Sequence, residues 1–245
     1  MNWIEPDWPS PGNVRALSTT RDGGLSEGVF AGLNLGAHVG DEPARVEANR
    51  ARLQQAAQIP GPLNWLNQVH GTAVHSVSDQ YDVAPDADAA CAHEAGQACI
   101  VMTADCLPVL FCDRAGTVVA AAHAGWRGLK EGVLEASIAA MGCEQGEILA
   151  WLGPAIGPAA FEVGSEVREA FMAEQGEAAA AFVPSSHEGK WLADIYQLAR
   201  LRLARAGVNA VYGGEYCTFS DSEQFYSYRR DGQTGRMASL VWLTP

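Results

Sequence analysis

Apolar positions fall into two patterns along the chain. In the middle third they form short, nearly unbroken runs at residues 98–103, 108–112 and 117–123, the last two separated by the turn Asp113-Arg114-Ala115-Gly116. Such runs, without polar alternation, mark strands covered on both faces. Residues 148–153, 208–212 and 238–243 predict three further strands. Elsewhere apolar residues return every three or four positions, the period of a helix with one buried face. Helices are predicted at 44–58, after Asp41-Glu42-Pro43, and at 129–141, with Leu129, Val133, Ile138 and Met141 near helical spacing. A third runs from a Ser165 cap through residue 173, and a fourth covers 192–206 around Ile195, Leu198, Leu201 and Leu203. Acidic residues and proline suit a first turn, and serine suits a cap. Gly and Pro stand in short clusters between these elements, with no long linker, low-complexity tract or internal repeat. Residues 1–245 therefore read as a single domain of α/β (α+β) class with a mixed sheet.

Composition narrows the partners. The 245 residues are 48% hydrophobic and 18% charged, a globular composition. The formal net charge is −13, which repels a phosphate backbone, and Arg200, Arg202 and Arg205 read as a solvated helix face rather than a basic stripe. Nucleic acid is excluded as the expected partner, and a small molecule fits better. No apolar run approaches the roughly 20 residues of a membrane span. Residues 1–10 carry Glu5, Asp7 and two prolines where an export signal has its apolar segment, so a cytoplasmic protein is expected. The six cysteines then read as reduced thiols. There is no CxxC pair, so any metal site must be assembled from distant segments.

Four segments join reactive side chains to Gly, Pro or aromatic turns: Asn67-Gln68-Val69-His70-Gly71, Thr103-Ala104-Asp105-Cys106-Leu107-Pro108, Ala122-His123-Ala124-Gly125-Trp126-Arg127-Gly128, and Cys217-Thr218-Phe219 with 225–230. Cys106 and His123 each end a predicted strand, and His70 lies in a loop before glycine. One Cys with two His is a valid catalytic zinc set with an open position for water. The same atoms also fit a Cys–His nucleophile pair. Asp105 is a candidate proton carrier, whereas Glu162 reads as a solvated loop residue. Arg21, Arg127, Arg229 and Arg230 stand beside Gly-rich or aromatic turns and present forks suited to phosphate. Tyr226 and Tyr228 are candidates to stack on a base. Cys91, Cys99, Cys112 and Cys143 read as structural.

Together with Gly153-Pro154-Ala155-Ile156-Gly157-Pro158, Tyr228-Arg229-Arg230-Asp231-Gly232, Thr20-Arg21-Asp22-Gly23-Gly24-Leu25-Ser26 and Asn34-Leu35-Gly36, these segments resemble the YfiH family, in order from about residue 18 to 237. That family also goes under peptidoglycan-editing factor and "polyphenol oxidase/laccase" labels. The resemblance implies a layered fold of the cytotoxic-necrotizing-factor/YfiH-like kind, with His70, Cys106 and His123 as zinc ligands and copper as the alternative metal. It implies phosphorolysis of adenosine, inosine, guanosine and methylthioadenosine, and deamination of adenosine to inosine. Removal of misincorporated serine from a peptidoglycan precursor and copper polyphenol oxidation are the other family activities. A laccase needs several copper ions in a His-rich cluster, and only His70 and His123 of six histidines fall in the motifs, so oxidation is disfavoured. On this reading His70, Cys106, His123 and Asp105 are catalytic. Arg21, Gln68, Arg127, Tyr228 and Arg229 bind substrate, a nucleoside with phosphate.

Overall fold

The structure, a computed structural model, describes residues 1–77 and 83–245. Its strands are β1 Trp3–Ile4, β2 Val14–Thr19, β3 Val74–Ser76, β4 Ala89–Ala92, β5 Ala98–Thr103, β6 Leu107–Asp113 and β7 Val119–Ala124. There follow β8 Ile148–Leu152, β9 Glu162–Gly164, β10 Phe182–Pro184, β11 Lys190–Ala193, β12 Ala210–Gly213 and β13 Met237–Leu243. The helices are α1 Pro43–Ala56, α2 Trp126–Glu131, α3 Val133–Met141, α4 Ser165–Glu174, α5 Ile195–Arg205 and α6 Tyr228–Asp231. A six-stranded sheet has the order β12-β8-β6-β7-β4-β3, and a four-stranded sheet the order β1-β2-β13-β5. The first is mixed, parallel at β12–β8 and β3–β4, and the second is antiparallel throughout. A small sheet, β10-β11-β9, stands apart.

The two large sheets lie face to face, which explains the unbroken apolar runs. In β6, Val109 and Phe111 pack toward helices α3 and α5, while Leu110 and Cys112 pack against the four-stranded sheet. In β5, Cys99 and Val101 face inward, and Ile100 and Met102 face outward with Leu53 of α1. Every residue of β5, β6 and β7 is buried. Full burial of each large apolar side chain contributes about 1.5–3 kcal/mol. Among the described residues no helix is long and apolar enough to cross a membrane.

Four expectations change. The helix predicted at 129–141 starts at Trp126 and breaks at Gly132, whose φ of 104° turns the chain between α2 and α3. The helix predicted from 192 starts at Ile195, because Asp194 is the cap and accepts from the Gln197 amide at 3.0 Å. Leu192 and Ala193 belong instead to β11. Ser165 is the first residue of α4 rather than its cap, and its hydroxyl donates to the Gly189 carbonyl. The arginines of α5 are not merely a solvated face: Arg200 donates to the Val211 and Gly213 carbonyls, and Arg202 pairs with Glu135 at 2.7 Å.

A side chain at Gly132 would meet only ordinary contacts, 3.4 Å or longer, so the backbone alone enforces glycine there. Gly132→Ala should lower unfolding free energy by about 1–2 kcal/mol in urea titration, with far-ultraviolet circular dichroism unchanged.

Candidate metal centre

The site is built around Asp88, which is fully buried at the entrance to β4. Its carboxylate accepts hydrogen bonds from the amides of Val69, His70 and Gly71 at 3.2, 2.9 and 2.6 Å. It also pairs with Nδ1 of His123 at 2.8 Å. One carboxylate thus shapes the loop that carries His70 and fixes the ring of His123. With the proton held on Nδ1, Nε2 of His123 is left as the ligand atom, a carboxylate–histidine arrangement common behind metals. Burial alone would raise the Asp88 pKa, but the His123 and Gly71 bonds outweigh it and hold it below the usual range.

Cys106 arrives from another direction. The chain leaves the four-stranded sheet at Thr103 and enters the six-stranded sheet at Leu107, so the turn 104–106 spans the two. In the β6–β7 ladder Pro108 stands opposite His123, which sets His123 two residues along from Cys106. Asp105 has a φ of 94° and His70 a φ of 61°, two of the three positive values at non-glycine residues among the described residues. Such backbone persists only where its surroundings fix it. Asp105 is fixed by Thr218, whose hydroxyl donates to Oδ1 at 2.7 Å, and by the Arg229 amide, which donates to Oδ2 at 2.6 Å. Glycine is needed nearby for space: a Cβ on Gly125 would lie 2.9 Å from the His70 ring and 3.1 Å from the Cys106 sulfur. One on Gly128 would lie 2.8 Å from the Gly71 carbonyl.

His70, Cys106 and His123 converge with their donor atoms within 4.8 Å of one another. The Cys106 sulfur is 4.0 Å from Nε2 of His70. Among the described residues this is the one group of three or more His, Cys, Asp or Glu side chains placed to share an ion. Burial works against a charged Cys106, but the two imidazoles outweigh it and bring its pKa down to about 6. Burial likewise opposes charge on His123, yet the Cys106 thiolate and Asp88 push its pKa up to about 9. Both shifts have one meaning: the site favours a positive charge beside an anionic sulfur. A thiolate and two imidazole nitrogens are the donor types zinc takes, at about 2.0–2.3 Å.

The group forms one wall of a cavity of about 350 Å³, in the range of small-molecule sites. Gln68, Met102, Ala104 and Tyr228 line it, as do His38 and Arg236, which sequence reasoning missed. Gln68 is doubly paired with the Met102 backbone, at 2.8 and 2.7 Å, so its amide braces the wall. Arg21, Arg127 and Arg229 do not line this cavity. Arg21 donates to the Ser222 and Ala31 carbonyls and lies over Tyr226, whose hydroxyl is bonded to the Phe30 and Ala31 carbonyls. Arg127 lies over Trp126, and Arg229 donates to the Glu162 carbonyl. Arg230 is held by three backbone carbonyls and Asp231. Glu162 is not a free loop residue, since Ser185 and His187 both bond its carboxylate. Asp88 was also missed. The signal for it was a carboxylate directly before the apolar run 89–92, and that for Arg236 a cation directly before the buried strand 237–243.

Comparison with known proteins places the chain in a family. A family model described as multi-copper polyphenol oxidoreductase laccase matches residues 15–244. A Pseudomonas aeruginosa protein described as a purine nucleoside phosphorylase is 58% identical over 98% of both chains. The chain belongs to the YfiH family. The YfiH protein of Escherichia coli, also described as a purine nucleoside phosphorylase, is 57% identical over 98% of both chains. The crystal structure of a Neisseria meningitidis protein superposes on this YfiH-family fold with a TM-score of 0.96, at 55% identity and over the whole of both chains.

Asp88→Asn removes the charge that orients His123 while keeping the shape. Zinc affinity in chelator competition should fall about 10–100-fold, with the fold retained. Gly125→Ala should also weaken zinc binding, by pushing His70 and Cys106 apart.

Proposed function

We propose that this chain is a zinc-dependent purine nucleoside phosphorylase. It would convert adenosine, inosine, guanosine and methylthioadenosine to free base and sugar 1-phosphate, with deamination of adenosine to inosine as a second activity. The observation that carries this reading is the His70–Cys106–His123 donor set facing a small-molecule cavity. The description of two close relatives as purine nucleoside phosphorylases supports it.

Zinc at the donor set would supply a Lewis acid to polarise a bound nucleoside. The protein supplies the rest. Met102, Ala104 and Tyr228 offer apolar surface for a purine. Gln68 holds that wall in register. Asp88 keeps a proton on Nδ1 of His123, and Asp105 positions the Cys106 turn. Both carboxylates are committed to these bonds, and among the described residues no Asp or Glu lines the cavity. Zinc deamination of a purine relies on a carboxylate to carry protons. Phosphorolysis does not, since hydrogen phosphate brings its own proton. The site therefore favours phosphorolysis as the faster branch.

The test is incubation of zinc-loaded protein with adenosine, with and without phosphate, followed by chromatography. Adenine should form only with phosphate, faster than inosine forms without it, and Cys106→Ala should abolish both. A zinc-loaded protein that releases neither product would refute the reading.

A further inference from the structure

Two arginines near the cavity have no acid partner. In a chain of net charge −13, Arg50 and Arg236 are each half-buried, and among the described residues neither forms a salt bridge with a carboxylate. Arg50 spends its guanidinium on the Leu35 carbonyl and lies over Trp65. Arg236 hydrogen-bonds only through Nη1, to the carbonyls of Thr234 and Gly235 at 2.9 and 3.0 Å, and its guanidinium lies over the Tyr228 ring at 6.0 Å. Its Nε and Nη2 donate to nothing among the described residues. Burial pushes both guanidinium pKa values down, Arg50 to about 10. A half-buried guanidinium with unused donors is suited to taking an anion.

Arg236 stands where two hollows meet. The metal cavity continues past His38, Tyr228 and Arg236 into a second recess of about 330 Å³, walled also by Gln233 and Thr234. Thr234 is 1% exposed, and its hydroxyl has no hydrogen-bond partner. Asn34 is fully buried, accepts the Arg236 amide at 2.9 Å and donates to Asp41 at 2.8 Å. Gln233 donates to the Val39 carbonyl at 3.1 Å. These bonds pin the segment 34–41 to the segment 233–236 and fix Arg236 between them. A Cβ on Gly36 would lie 2.8 Å from the Arg236 side chain, so the Asn34-Leu35-Gly36 motif is shaped to that arginine.

We propose that the junction of the two hollows, at Arg236 with His38 and Thr234, binds inorganic phosphate as the co-substrate. The inference rests on the phosphorolysis reading and gives it its missing half. Nε–H and Nη2–H of one guanidinium form the fork that takes two phosphate oxygens. In the reaction a phosphate oxygen bonds to the sugar C1′ as the bond from C1′ to the base nitrogen breaks. The electron pair of that bond goes to the base, and the single proton of hydrogen phosphate follows it. The products are neutral base and sugar 1-phosphate, so charge and atoms balance without another reactant.

Two measurements on the zinc-loaded full chain test this. The first is calorimetric binding of inorganic phosphate without nucleoside, with adenosine 5′-monophosphate in a parallel arm. The second is steady-state kinetics with phosphate and adenosine varied separately. Arg236→Gln should weaken phosphate binding, and raise the KM for phosphate, about tenfold or more. The KM for adenosine and the zinc stoichiometry should stay close to wild type. Thr234→Val should give a smaller shift in the same direction, and Arg236→Lys should restore part of the loss. An unchanged KM for phosphate in an active Arg236→Gln would overturn the subsite and leave the phosphorylase reading intact. Arg236-dependent phosphate binding by a protein that turns over no nucleoside would overturn that reading and leave the anion site. Tight binding of the monophosphate with none of inorganic phosphate would overturn the co-substrate assignment, the anion then being part of a larger ligand.

Discussion

A single buried carboxylate organises this protein's chemistry. Asp88 accepts three consecutive backbone amides and one imidazole, so one side chain sets both the path of the His70 loop and the tautomer of His123. Burying an unpaired carboxylate would be prohibitive. Here the bonds it receives outweigh the desolvation, and the cost of burial becomes a constraint: the loop cannot move without orphaning the charge. His70 and His123, on either side of Asp88, are therefore tied to each other through it.

The second constraint is the crossing between sheets. Ligands from one sheet would share a plane. Cys106 instead sits on the turn that leaves the four-stranded sheet for the six-stranded one, and His123 lies one strand further on. Three donor atoms on separate segments thus come within 4.8 Å of one another, a set that could hold a metal ion. The strained backbone at Asp105 and the bare α-carbons of Gly125 and Gly128 are what this convergence demands locally. Tyr228 and Arg236 line the cavity beside the three donors, and Asp88 does not.

Much of this was legible in the sequence. The strands 98–103 and 108–112 are buried on both faces, and their unbroken apolar runs announce it. The trio of His70, Cys106 and His123 was legible through strand ends, turn residues and family motifs. What escaped were features set by tertiary contact. Gly132 reads as a helix residue because its break comes from its left-handed backbone, which the apolar spacing around it does not reveal. Leu192 fits the helical period of α5 but pairs with β10 and β9. Arg21, Arg127 and Arg229 look like phosphate forks, yet carbonyls or aromatic rings engage each of them. Arg236, which lines the cavity, was marked in the sequence only by its place before the buried strand 237–243. Asp88 and Asp105 differ in role only through partners 17 or more residues away.

The most direct test of the account is X-ray absorption at the zinc edge of the loaded protein. Two nitrogen-type ligands and one sulfur at about 2.0–2.1 and 2.3 Å, with a further light atom, are expected. The sulfur should vanish in Cys106→Ser. A shell with no sulfur, or one whose sulfur survives that substitution, would contradict the assignment of His70, Cys106 and His123 as the metal centre.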